Sequence, residues 1–221
     1  MYRKNNKPNR SKHSDEMDFE EDQQIGELGF GYNSLQITRF TVNLDEDIKS
    51  PAYYRSVVAM LLNAGQHDHV DFNFNSNGGS AAGMITLMDA ISKTAASTQA
   101  NIIGDCASAA SMLALSCDTC EVSEYGSMLC HTVKFGVGGK LPDVEAVVKA
   151  TGDLSRRLLR ETYEDFLSPS ELELVLRGDE LYLSAEEIRT RLEHRSQLHE
   201  AAMSAMLEPE PAPAKPKRQR K

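Results

Sequence analysis

The chain has 221 residues, of which 40% are hydrophobic and 26% are charged, and it contains no Trp. This length suits one domain with a real core and is too short for two large domains. No stretch approaches the roughly 18–20 consecutive apolar residues of a membrane span, and the basic N-terminus has no apolar segment behind it that would make a secretory signal. We therefore expect a cytoplasmic protein whose four Cys are thiols rather than a disulfide framework.

The formal net charge is −9, and the two ends of the chain are basic. Residues 1–12 and 211–221 carry five basic residues each, so the remaining 14 basic and 33 acidic residues give the body a charge of −19. An acidic body argues against nucleic-acid binding by the domain. Residues 1–24 are polar and aperiodic, and the tail 207–221 is Pro-rich and basic, so both are predicted to be disordered around a domain at 25–206.

Within that domain, predicted strands and helices alternate. Alternating apolar residues predict strands at 35–43, 69–75, 99–104, 120–123 and 127–131, and helical spacing predicts helices at 52–63, 81–94, 107–115, 142–167, 170–176 and 184–195. Ser80 and Ser184 are predicted helix caps, with Glu187 completing a capping box. Gly152 is expected to mark a bend in the longest helix. This alternation predicts an α/β domain.

Two polar turns and a histidine are the candidates for chemistry. The segment Asn-Ser-Asn-Gly-Gly-Ser at 75–80 joins a predicted strand to a helix, and its glycines leave backbone N–H groups uncovered for a phosphate or an oxyanion. The segment Gly-Asp-Cys-Ala-Ser-Ala-Ala-Ser at 104–111 places Ser108 at the start of a buried helix. His131 ends a short strand and has the right side chain for a general base. Each feature alone is also compatible with a purely structural role.

Together, in this order, the three segments resemble the proteolytic subunit of the Clp protease family (ClpP), and the doubled serine resembles its bacteriophage relatives. The resemblance covers about 35–195 and includes a "handle" helix at 142–167. It implies a ClpP/crotonase-like fold of repeated ββα units wound into a superhelix. By position it makes Ser108 the nucleophile and His131 the general base, with Ser111 as a rival nucleophile. The resemblance also implies that Gly78 and Ala109 donate the oxyanion N–H groups, while Gly79 shapes the turn.

The resemblance does not assign the third member of the implied triad to a single residue. The family has an Asp shortly before the segment that Tyr182–Ser184 matches, and a gap-free comparison places Leu176 there, which cannot orient an imidazole. A small shift makes Asp179 the predicted acid, with Glu180 next in line. If neither reaches His131, the site is a Ser–His dyad or is inactive.

The function implied is a serine endopeptidase that acts through an acyl-enzyme in stacked heptameric rings. The sequence lacks a GxxxxGK[ST] motif. Folded substrates would therefore need a separate ATP-driven AAA+ unfoldase, unless the substrate is an assembled viral target. If the chain is encoded by a bacteriophage, the expected location is the host cytoplasm. The alternatives are an inactive ring or interaction protein with the same fold, and a crotonase-type acyl-CoA enzyme. Cys117, Cys120, Cys130 and His131 have partial zinc-ligand spacing, but buried thiols are favoured, and no metal or cofactor is expected.

Overall fold

The computed structural model describes residues 37–207. The predicted disordered segment 1–24 and residues 208–221 of the predicted tail lie outside the described residues. Residue 207, which was assigned to the tail, is instead the last residue of a helix.

A six-stranded sheet forms the centre of the domain. Its strands are β1 (Arg39–Leu44), β2 (His69–Ser76), β3 (Ser97–Ala107), β4 (Thr119–Val122), β5 (Ser127–Cys130) and β6 (Leu181–Ser184). The main path runs β1-β2-β3-β5-β6, and β4 pairs with the first half of β3. All pairings are parallel except β5 with β6, which is antiparallel. The parallel-rich sheet with its crossover helices confirms the predicted α/β class.

Six α-helices and one turn of 3₁₀ helix connect and cover the strands. The 3₁₀ turn is Pro51–Tyr54, and the helices are α1 (Arg55–Asn63), α2 (Ala81–Lys93), α3 (Ala109–Leu115), α4 (Leu141–Tyr163), α5 (Pro169–Arg177) and α6 (Ala185–Leu207). The Ser80 hydroxyl caps α2 by accepting the Gly83 N–H, as predicted. Ser184 and Glu187 form the predicted reciprocal contacts at the start of α6.

The core lies between the sheet and the helices that follow β2 and β3. Val70, Phe72 and Phe74 of β2 are fully buried, and every residue of α3 is buried. By contrast, α4 buries only residues in its C-terminal half, and Leu141, Val147 and Val148 remain exposed. The helix that the family resemblance marks as the handle therefore keeps an exposed first half.

Three details differ from the sequence-based expectations. The short strand β6 was not predicted as a strand, and α6 continues past residue 195 to Leu207. The α4 helix ends at Tyr163, before the predicted end at residue 167, and it runs without interruption through Gly152. The helical turns on both sides of Gly152 keep the helix continuous, although a glycine inside a helix costs about 1 kcal/mol relative to Ala.

Candidate active site

Ser108 occupies a sharp turn between β3 and α3. Its backbone dihedrals are φ 57° and ψ −121°, which makes it the one non-glycine residue with positive φ among residues 37–207. The turn is fixed because the Ser108 N–H donates to Leu129 O at 2.9 Å, while the Ser108 C=O accepts the Met112 N–H at 3.3 Å. A serine on a strained strand-to-helix turn presents its hydroxyl to the surroundings, as the nucleophile elbow of many hydrolases does.

Ser111, the rival serine, lies one helical turn further along and is fully buried. Its Oγ lies 2.7 Å from the Ser108 carbonyl oxygen and 2.7 Å from the hydroxyl of Tyr163, which is also buried. These contacts use the Ser111 hydroxyl inside the core, where it braces the turn that carries Ser108. The geometry therefore favours Ser108 over Ser111 as the accessible hydroxyl.

The diglycine turn packs directly against Ser108. Gly78 has φ 95°, and a Cβ added there would lie 2.6 Å from Ala107 O and 2.8 Å from Ser108 Cβ. The Gly78 N–H donates to the buried Ser76 hydroxyl at 3.2 Å, a contact that the sequence analysis did not find. The signal for it was a small polar residue at the end of a core strand. Gly78 is thus required for the close approach of the two turns.

Gly79, the second glycine, is the one that borders the open space beside Ser108. Its N–H has no hydrogen-bond partner among residues 37–207, whereas its neighbours Gly78 and Ser80 pair with Ile48 through their backbones. Ala109, at the first position of α3, is one of the residues whose N–H has no acceptor within the helix. Gly79 and Ala109 therefore offer two free N–H groups on either side of Ser108.

Ser108 and His131 line the same cavity, whose volume is about 460 Å³. Its apolar wall includes Met84, Met112 and Val133. His131 follows the last residue of β5 and is half-buried, and its Nδ1 is buried without a hydrogen-bond partner among residues 37–207. No hydrogen bond between Ser108 Oγ and His131 occurs in the described chain. The two residues are brought together, but the hydrogen bonds of a working triad, which often tighten only with substrate bound, are not formed.

The antiparallel pairing of β5 and β6 decides which acid lies beside His131. The last pair of that ladder is Cys130 with Leu181, so the next step places His131 opposite Glu180. The Glu180 carboxylate accepts hydrogen bonds from Lys134 Nζ at 2.8 Å and from the Tyr182 hydroxyl at 2.9 Å. These two bonds lower the pKa of Glu180 below its usual range, and the positive charge of Lys134 adds to that effect. The sequence analysis did not find Lys134, and it named Tyr182 only as part of a matching segment.

Asp179 lies in the turn that ends α5. Gly178 there has φ 112°, and the Asp179 N–H donates to Leu174 O at 3.1 Å. Asp179 is exposed, and its carboxylate makes no hydrogen bond within residues 37–207. By its position, Glu180 therefore fits the role expected of Asp179 better than Asp179 itself does.

All four cysteines are free, and three of them are buried. Burial raises the pKa of each thiol, to about 12 for Cys120 and Cys130. Within residues 37–207, no group of three or more His, Cys, Asp or Glu side chains is placed to hold a metal ion. No helix in this part of the chain is both long enough and apolar enough to cross a membrane.

The sequence was compared with models of known protein families, and the match agrees with the serine and diglycine turns described above. The family model described as Clp protease matches residues 32–187, well over half of the chain. The chain belongs to the Clp protease family. No curated protein matches the sequence.

Membership in the Clp protease family makes this chain a serine peptidase of the ClpP type, a class of hydrolase. The α/β architecture with its parallel-rich sheet agrees with the ClpP/crotonase-like fold. Clp protease subunits generally assemble into oligomeric rings. The matched region ends three residues into α6, so most of that helix lies outside the family domain.

Proposed function

We propose that the chain is an endopeptidase in which Ser108 attacks the peptide carbonyl and His131 accepts the hydroxyl proton. The positive φ of Ser108 at a strand-to-helix turn, beside a cavity that His131 also lines, carries this proposal. His131 then donates the proton to the leaving amine, which gives an acyl-enzyme on Ser108. Water, activated by the same imidazole, releases the second product.

The tetrahedral oxyanion is held by the N–H groups of Gly79 and Ala109. Gly79 borders the cavity and its N–H is unpaired among residues 37–207, whereas the Gly78 N–H already donates to Ser76. Gly78 then serves to let the turn touch Ser108, the part first expected of Gly79. Losing one oxyanion donor typically costs about 3–4 kcal/mol of transition-state stabilisation.

Glu180 is the proposed orienting acid, with Asp179 as the alternative. Two observations support this: extending the β5–β6 register by one residue beyond Cys130 and Leu181 sets Glu180 against His131, and the buried Nδ1 of His131 lacks an acceptor among residues 37–207. Substrate binding would have to draw the Glu180 carboxylate away from Lys134, which lies in the segment after β5 and lines the cavity. A carboxylate on Nδ1 would fix the tautomer in which Nε2 faces the serine hydroxyl.

We infer that the working enzyme is a ring, with stacked heptamers as the expected form. The exposed apolar residues in the first half of α4, among them Leu141, Val147 and Val148, supply a surface for contact between subunits. Substrates would be proteins or peptides, delivered by an ATP-driven AAA+ unfoldase or encountered in a viral assembly of the bacteriophage type. Sedimentation of the purified chain tests the ring, independently of the chemistry.

Labelling with a fluorophosphonate probe, followed by mass spectrometry of the modified peptide, tests the nucleophile. We expect the wild type and Ser111→Ala to be labelled at residue 108, and Ser108→Ala to be unlabelled. Hydrolysis of a peptide set with an apolar residue at the scissile bond should follow the same order. Labelling that persists in Ser108→Ala would overturn the assignment, and a folded wild type that neither labels nor cleaves would support the inactive alternative.

A further inference from the structure

A second, smaller pocket lies next to the cavity that contains Ser108. Its volume is about 170 Å³, and it shares Asn77, Ala107 and Leu129 with the larger cavity. Ala107 immediately precedes the nucleophilic serine in the chain. A substrate that places its scissile bond at Ser108 therefore has a neighbouring side chain within reach of this pocket, which has room for one side chain.

The wall of the small pocket includes Asp105, which sits in an irregular part of β3. Between the pairs Phe74–Ile102 and Ser76–Cys106, β2 advances two residues while β3 advances four. Such a bulge re-aims the side chains of the extra residues and is common next to active sites. With regular pairing, side chains along β3 would continue to alternate between the two faces of the sheet at this position.

The bulge holds Asp105 in a defined position. Its N–H donates to the side-chain oxygen of Asn75 at 3.1 Å, and one of its carboxylate oxygens accepts the Ser127 hydroxyl at 2.9 Å. Ser127 is the partner of Asp105 in the parallel ladder and also lines the pocket. Both contacts orient the carboxylate, but neither supplies a positive charge.

The Asp105 side chain belongs to an exposed residue and has no cationic partner in the part of the chain that the structure describes. Within residues 37–207, no Lys, Arg or His makes an ion pair with it, in contrast to Glu180, which pairs with Lys134. The remaining wall combines the polar or aromatic residues Asn77, Ser127 and Tyr182 with aliphatic ones, among them Met128, Leu129 and Leu183. The aliphatic part can contact the methylene stem of a Lys or Arg side chain whose charged end reaches Asp105. A small pocket with one fixed, unpaired carboxylate favours a cationic occupant.

We propose that Asp105 is a specificity-determining residue and that this pocket receives a Lys or Arg side chain of the substrate next to the scissile bond. The inference rests on the proposed peptidase function and deepens it by naming a substrate class. The larger cavity, with its apolar wall of Met84, Met112 and Val133, takes a different and apolar side chain. Substrates would then combine an apolar residue with a basic one at a nearby position.

Peptides that differ at one position test the pocket. Each carries a fixed apolar residue and, at one of the four adjacent positions in turn, Lys or the uncharged norleucine, and binding to Ser108→Ala is measured by fluorescence anisotropy. At one position we expect Lys to bind about fivefold more tightly than norleucine at low salt, a preference that salt screens. Asp105→Asn in the same background should remove the preference, and Asp89→Asn, an exposed carboxylate on α2, should keep it.

The same peptides given to the wild-type enzyme separate this inference from the peptidase proposal. Cleavage without any preference for Lys, or a preference that Asp105→Asn leaves intact, overturns the pocket assignment while the peptidase stands. Selective binding to Ser108→Ala without cleavage by the wild type supports the pocket and contradicts the peptidase. A folded protein that neither binds nor cleaves any of the peptides contradicts both.

Discussion

Glu180 and Lys134 form an ion pair at the mouth of the candidate active site, with Lys134 Nζ 2.8 Å from Glu180 Oε1. Lys134 lines the cavity together with His131, and the β5–β6 register sets Glu180 opposite that histidine. The acid that is best placed to orient the imidazole is thus held by a neighbouring lysine, while His131 Nδ1 stays without an acceptor among residues 37–207. The proposed role of Glu180 as the orienting acid would require this pair to rearrange.

Glu180→Gln should lower kcat about 100-fold or more, because an amide cannot stabilise the imidazolium, whereas Asp179→Asn should change it less than about threefold. Steady-state hydrolysis of one peptide by both variants measures the difference. Circular dichroism of each variant controls for folding. Equal losses, or a larger loss for Asp179→Asn, would return the role to Asp179.

Gly78→Ala should remove activity. The new Cβ would lie 2.6 Å from Ala107 O at a residue with φ 95°, so the diglycine turn would have to retreat from Ser108. Gly138→Ala is the matched control, because a Cβ there meets nothing within 4 Å and the residue lacks a positive φ. Peptide hydrolysis and thermal unfolding of both variants check this, and an active Gly78→Ala enzyme would show that the two turns need not touch.

Ser111→Ala should keep its reactive serine but lose stability. The substitution leaves the buried Tyr163 hydroxyl without the partner that now lies 2.7 Å away, and an unsatisfied buried hydroxyl costs about 1–3 kcal/mol. Urea unfolding measures the loss, with Ser92→Ala on the exposed face of α2 as the control. An unchanged free energy of unfolding would mean that another group satisfies Tyr163.

Stability should depend on pH through Asp71, a buried carboxylate at the start of the sheet. The hydrogen bond from Arg39 lowers the pKa of Asp71, against the opposing effect of burial, so the folded state binds its proton less readily than the unfolded state does. The resulting stabilisation is fully present above the ordinary Asp pKa of about 3.9 and is lost as the pH falls through the lowered value. In urea titrations, the wild type should exceed Asp71→Asn by more at pH 7 than at pH 3, and a constant difference would contradict this.

The thiols should be unreactive in the folded protein. Because burial raises the pKa of Cys120 and Cys130 to about 12 and raises those of Cys106 and Cys117 as well, almost no thiolate exists at pH 8. A chromogenic disulfide reagent should modify the four cysteines slowly in buffer and rapidly in guanidinium chloride. Fast native modification of Cys130, next to His131, would indicate that the site opens in solution.

The local order of strand, turn and helix could be predicted from the sequence, since apolar alternation in β2 and the Ser80 cap of α2 are encoded within a few residues. The turn that carries Ser108 was also predictable, because small residues mark it. The choice between Asp179 and Glu180 was not, because it depends on the pairing of β6, a four-residue strand, with β5. A slip of one residue there exchanges the side chains on the two faces, and no sequence pattern fixes so short a register.

The complete burial of α3 has a consequence for control of the enzyme. Outside the core, α3 meets only the cavity, through Ala109 and Met112, so a protein bound at the surface would not contact the helix that holds Ser108 in place. If Ser108 and His131 act as proposed, a regulator would have to act through the β5–β6 pair and the segment that follows β5, where His131, Lys134 and Glu180 lie.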